Sequence, residues 1–208
     1  MRDIRTASIL AFALLATGAF AQAPATPPAA GAAPPAAPAP PAMTVSTTAY
    51  PDGGMIPVAF TQAAPGVAAG EGVSFPITWT NVPAGTKGFV VHLHDMDVAR
   101  NKTTDDQLHW LVWNIPATAT GLPQGVPKGA KLPDGTEQVS ASGPYYRGPG
   151  AGANGPYHHY TLEVFALDTT LTVTPATDAF ETRTKVMAAM QGHILGKAVY
   201  DGLFRRPN

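Results

Sequence analysis

The stretch from Gly88 to Pro116, GFVVHLHDMDVARNKTTDDQLHWLVWNIP, sets the tightest limits on what this chain can fold into. It reads as two apolar strands joined by a polar loop. The first, Phe89 to Asp97, begins as a buried run and ends in two carboxylates, Asp95 and Asp97. The second, Leu108 to Ile115, carries His109 near its start, among Trp110, Val112 and Trp113. Paired as neighbours, the two strands bring the end of the first beside the start of the second. Asp95 and His109 then share one end of a sheet. A carboxylate and an imidazole at a sheet rim, backed by aromatic rings, suit the floor of a polar pocket.

Around this pair, turn signals recur at short intervals: Pro51-Asp52-Gly53-Gly54, Pro65-Gly66, Pro83-Ala84-Gly85, Pro133-Asp134-Gly135 and Gly148-Pro149-Gly150. Between them lie runs rich in Val, Ile, Thr, Phe and Trp, namely Met55 to Thr61, Val73 to Thr80 and His158 to Leu167. Short strands at this spacing predict a mainly β fold, an antiparallel sandwich or barrel, rather than parallel βαβ units. In His159 to Asp168, the residues Tyr160, Leu162, Val164, Ala166 and Asp168 point one way, while Thr161, Glu163, Phe165 and Leu167 point the other. One helix is predicted from about Thr177 to Gln191, with Thr177 or Asp178 as its cap and Gly192 just past its end. The last run, His193 to Phe204, alternates in a way that slightly favours a strand.

The N-terminal part reads differently. Arg2 and Arg5, the apolar run Ile9 to Ala16 and the small residues of Ala19-Phe20-Ala21 make residues 1–21 a signal peptide, cleaved after Ala21. The apolar run is too short for a membrane span, which takes about 20 residues. Without a following cysteine there is no lipid attachment, so no stable membrane anchor is expected after cleavage, and the protein should be periplasmic or secreted. Residues 22–42 hold 18 Ala or Pro among 21 residues and read as a disordered, semi-stiff linker. Residues 43–208 then form one domain, long enough to bury a sizeable core. A formal net charge of -1 excludes a basic surface for nucleic acid, and the absence of cysteine excludes disulfides, thiolate metal sites and a cysteine nucleophile.

All six histidines fall in the domain. His92 and His94 share a strand face, a spacing known for metal ligands, but the zinc hydrolase pattern is incomplete because Val98 follows Asp97. A mononuclear site would need His92, His94 and a third histidine, His158 or His109. No Gly-x-Ser-x-Gly is present. The glycine-rich loop Arg147 to Pro156 is neither a Walker loop nor a dinucleotide fingerprint, yet its backbone N–H groups are suited to cradling an anion. His158-His159-Tyr160 follows that loop directly and opens a strand. A pocket of Asp95, His109, the loop and His158 would offer an acceptor, imidazole donors and free N–H groups to one small anion. Imidazoles titrating near neutrality would make it bind better at mildly acidic pH.

Seven stretches in one order are similar to the phosphatidylethanolamine-binding protein family, in its bacterial Raf-kinase-inhibitor-like branch. They are DGGMIP from Asp52, VSFPITW from Val73, HDMD from His94, HWLVWNIP from His109, GLPQG from Gly121, GPYHHYTLEVFALD from Gly155 and GHILGKAVYDGLFRR from Gly192. The resemblance implies a β-sandwich with Greek-key connections, one or two short helices near the C-terminus, and an anion pocket at one end for phosphate-like groups. It implies ligand-binding roles for Asp95, His109, Gly148, Pro149, His158 and Tyr160, with Gly148 and Pro149 supplying backbone donors. Met96 stands where the family has its first motif proline, and His159 where it has an arginine.

The expectation is therefore an exported, non-enzymatic protein that binds a small anionic or phosphorylated ligand, with no cofactor and no metal. The alternatives are a metal-dependent hydrolase built on His92 and His94, or a protein inhibitor of a hydrolase or kinase.

Overall fold

The computed structural model describes residues 41–208. The expected signal peptide and all but the last two residues of the expected linker lie outside the described residues. Two sheets carry the fold. Strands β1 (Thr44–Ser46), β3 (Ile77–Thr80) and β6 (Gly121–Leu122) form a three-stranded sheet in the order β1-β3-β6. Six strands form the other, in the order β2-β9-β8-β4-β5-β7: β2 (Gly54–Met55), β4 (Gly88–Asp95), β5 (Gln107–Pro116), β7 (Glu137–Val139), β8 (His158–Leu167) and β9 (Ile194–Phe204). Among the described residues the fold is mainly β with one α-helix, α1 (Ala179–Ala189).

The adjacent strands β8, β4 and β5 are covered on both faces, which is why β4 and β5 run apolar instead of alternating cleanly. On the inner face, Phe89, Val91, Leu93, Trp110, Tyr160, Leu162 and Val164 join Val45, Ile77, Trp79 and Leu122 of the three-stranded sheet in one core cluster. On the outer face, Val90, Leu108, Leu111, Trp113, Phe165 and Leu167 pack with Val186 and Met190 at α1. Each fully buried side chain of this kind contributes about 1.5–3 kcal/mol relative to exposure. The helix starts where expected: Asp178 caps it by accepting the Phe180 N–H at 2.8 Å. It stops before Gly192, whose φ of +81° places it in the left-handed region.

Four expectations need correcting. The run Met55 to Thr61 is a strand only at its first residue, since Pro57 lacks an N–H and Val58–Phe60 coil into a 3-10 turn. Val73 to Thr80 becomes strand only after Pro76. The pairing is not wholly antiparallel, because β2 runs parallel to β9. The strands β1, β6 and β7 were not expected; two or three residues carry no readable period.

Candidate functional site

Four of the expected site residues meet at one end of the six-stranded sheet, on its inner face. Asp95 is the last residue of β4 and pairs across with Gln107 of β5 and Tyr160 of β8. The end of one strand therefore does lie beside the start of the next. His158 sits two residues before Tyr160 and so shares its face. His109 arrives by a different device. The β4–β5 ladder pairs Leu93 with Trp110 and His94 with Leu108, which leaves His109 as the extra residue of a bulge. A bulge re-aims a side chain, and this one turns the His109 ring edge-on to Tyr160, with centroids 5.0 Å apart.

Asp95 is 3% exposed and His109 is 2% exposed, so both act in a largely dry setting. The Asp95 carboxylate accepts the Asp97 N–H at 3.0 Å on Oδ1 and meets His158 Nδ1 at 2.8 Å on Oδ2. His109 Nδ1 lies 2.9 Å from the Arg147 carbonyl oxygen. A carbonyl only accepts, so Nδ1 carries the proton and Nε2 is the free atom of the neutral ring. Burial pulls the His109 imidazole down to about 4, against the smaller upward pull of that hydrogen bond and of Asp95. His109 is therefore neutral at mildly acidic pH, which corrects the expectation that it titrates near neutrality. Burial, with the neighbouring Asp95 carboxylate, pushes the Tyr160 phenol up.

The glycine-rich loop does reach this end of the sheet, but its backbone donors from Gly148 to Ala151 are engaged. Gly148 N–H donates to the Glu71 carbonyl at 3.2 Å, and Pro149 has no N–H. The N–H groups of Gly150 and Ala151 both donate to the Tyr160 hydroxyl at 3.1 Å. The carbonyls of Gly148 and Pro149 are turned to Gln62, which donates its Nε2 to Gly148 O at 2.7 Å and its N–H to Pro149 O at 2.9 Å. Gln62 is a residue that sequence reasoning missed. It lies far from the loop in the chain, and no local pattern marks it. At the rim, His159 N–H donates to Asp97 Oδ2 at 2.6 Å, and its exposed ring turns to the same oxygen.

His92 and His94 occupy a different place. They share the outer face of β4 with Val90, away from Asp95, and their rings stack with centroids 4.1 Å apart. Both are buried. Their acidic neighbours are Glu163, which lies opposite His92 in the β4–β8 register, and Asp106. Neither His158 nor His109 joins them, so the three-histidine metal set of the hydrolase alternative is not formed. Glu163 was visible in the sequence on the polar side of β8, but only the register places it against His92.

The chain has known relatives. The UPF0098 protein of Methanothermobacter thermautotrophicus is 36% identical over 166 residues, which cover 79% of this chain and 99% of that protein. The UPF0098 protein YbcL of Escherichia coli is 42% identical over 104 residues, 48% of this chain and 55% of that protein. The crystal structure of Escherichia coli YbcL, described as a new member of the mammalian PEBP family, superposes with a TM-score of 0.65 at 27% identity, covering 79% of this chain and 99% of that one. The solved phosphatidylethanolamine-binding protein homolog of Chlamydia trachomatis shares the fold, with a TM-score of 0.64, 23% identity, and coverage of 80% and 99%. The family model described as phosphatidylethanolamine-binding protein matches residues 46–205. With most of its length matched in this way, the chain belongs to the phosphatidylethanolamine-binding protein family.

Proposed function

We propose that this protein is an exported, non-enzymatic binding protein whose ligand is a small phosphate or phosphoryl headgroup held by Asp95, His109, His158 and Tyr160. One observation carries the reading: three adjacent strands deliver an acid, two imidazoles and a phenol to one end of the inner face. The family name, which speaks of phosphatidylethanolamine, agrees with a phosphoryl ligand. The two sheets are read as a sandwich with Greek-key connections, and the site as the hollow at its end.

The protonation pattern refines the ligand. With Nδ1 of His109 donating to Arg147, its neutral Nε2 accepts, so the partner must bring a proton: a protonated phosphate oxygen or a headgroup ammonium. His158, held by Asp95 through Nδ1, presents its other nitrogen and donates from it when the ring is charged, a stronger bond to an anion. Gly148 and Pro149 shape the wall instead of donating. His109→Ala is expected to weaken binding of phosphate and phosphoethanolamine about tenfold in calorimetry, roughly the loss of one hydrogen bond to a charged partner. Unchanged affinity for both ligands would overturn the assignment. Export is tested separately, by N-terminal sequencing of the protein recovered from the cell envelope and medium. A mature start at Gln22 is expected; an intact Met1 would refute cleavage.

A further inference from the structure

The outer-face cluster is independent of the anion site, and its hydrogen bonds are incomplete. Nε2 of His92 and Nε2 of His94 are both buried without a hydrogen-bond partner. Buried polar atoms are rarely left so. Two such atoms on stacked rings call for a reason.

The surrounding groups supply one. Asp106 meets His94 Nδ1 with one carboxylate oxygen and Arg183 with the other. A carboxylate on one imidazole nitrogen orients the ring and directs the lone pair of the opposite nitrogen, the arrangement found behind metal-bound histidines. That opposite nitrogen, His94 Nε2, stands 3.5 Å from Glu163 Oε2. His92 Nδ1 stands 3.1 Å from the same oxygen. Ligands about 2.0–2.1 Å from a tetrahedral ion are separated from one another by about 3.3 Å, close to both spacings. Lys197 holds the other oxygen of Glu163, leaving Oε2 to face the imidazoles. Beside the cluster, a cleft of about 220 Å³ bordered by His92, Asp106, Glu163, Arg183 and Met187 gives an ion a way in.

We propose that His92, His94 and Glu163 form a binding site for a divalent transition ion, Cu²⁺ or Zn²⁺, on the outer face of the sheet. Two imidazoles and one carboxylate are a borderline donor set that favours these ions over Mg²⁺ or Ca²⁺. The ion takes the place of the proton on His94 Nε2. The stacked rings lie only 12° from parallel, so their lone pairs do not yet converge. His94 is held at Nδ1 by Asp106, so His92 is the ring that turns, binding through Nδ1 with its proton carried on Nε2.

Asp95, Asp97 and His158 also lie within metal-ligand reach of one another. There, however, Asp95 is already paired to His158, and Asp97 to His159. This second group serves as the control. The experiment titrates CuCl₂ and ZnCl₂ into the chelator-treated, tag-free protein by calorimetry, with Cu²⁺ electron paramagnetic resonance in parallel. About one equivalent should bind, with nitrogen couplings from two imidazoles in the spectrum. His92→Ala and His94→Ala should each weaken binding about tenfold or more, while Asp95→Asn should not. Three results overturn the proposal: no binding to the unaltered protein, a spectrum without imidazole couplings, or loss on Asp95→Asn with retention in both histidine variants. The spectrum of the unaltered protein decides the matter even if a variant fails to fold.

Discussion

The histidines of this protein show how far local surroundings separate chemically identical side chains. Burial lowers His94, but its contacts with Asp106 and Glu163 outweigh that and raise it to about 9. In His109 burial wins, and the value falls to about 4. The consequences for stability have opposite signs. Because the folded pKa of His94 exceeds its unfolded value of 6.5, its contribution is complete below pH 6.5 and is lost as pH rises through about 9. His109 stays neutral in the fold, so its contribution is complete above pH 6.5 and is lost as pH falls toward about 4. Thermal melts from pH 6 to 10 should show a falling alkaline limb worth at most about 3 kcal/mol from His94. In His94→Gln most of that limb should disappear; an unchanged slope would place its origin elsewhere. None of this was legible in the chain, where His94 stands between Leu93 and Asp95 and His109 between Leu108 and Trp110. The partners that decide their charge, Asp106, Glu163 and the Arg147 carbonyl, are assigned by folding.

At the scale of elements, the long strands were the legible part. The alternation from Tyr160 to Leu167 sorts its residues into the inner and outer core clusters as expected. The apolar runs of β4 and β5 gave away their pairing. The bulge at His109 was not legible, because a ladder slip depends on both strands and the sequence shows one at a time. The seating of the glycine-rich loop was hidden for a similar reason. A Cβ on Gly148 would come within 2.9 Å of the backbone of Thr61 and Gln62, so the loop lies backbone to backbone on a distant segment. Gly148→Ala should force the two apart, with a loss of about 1–3 kcal/mol in denaturant melts and weakened phosphate binding. Gly152→Ala adds a Cβ that meets nothing within 4 Å and should change neither. Equal effects of the two substitutions would mean that the contact does not hold the loop.

For the molecule as a whole, the six-stranded sheet acts as a partition. Its inner face shares a core with the second sheet and carries Asp95, His109, His158 and Tyr160; its outer face carries α1 and the His92–His94 cluster. Val186 and Met190 make α1 a cover for the outer apolar face. Met190, 1% exposed at the end of that helix, tests how separate the two sides are. Met190→Ala leaves a cavity in the outer cluster and should lower stability by about 2–5 kcal/mol. The proposed anion site, on the far side of a sheet whose hydrogen bonds remain intact, shares no partner with Met190, and effects at sites without shared partners are close to additive. Phosphate affinity measured well below the lowered melting temperature should therefore match that of the unaltered protein. A large drop in affinity with the fold still intact would show that the outer layer sets the shape of the inner end, and that the sheet bends as one body with its helix.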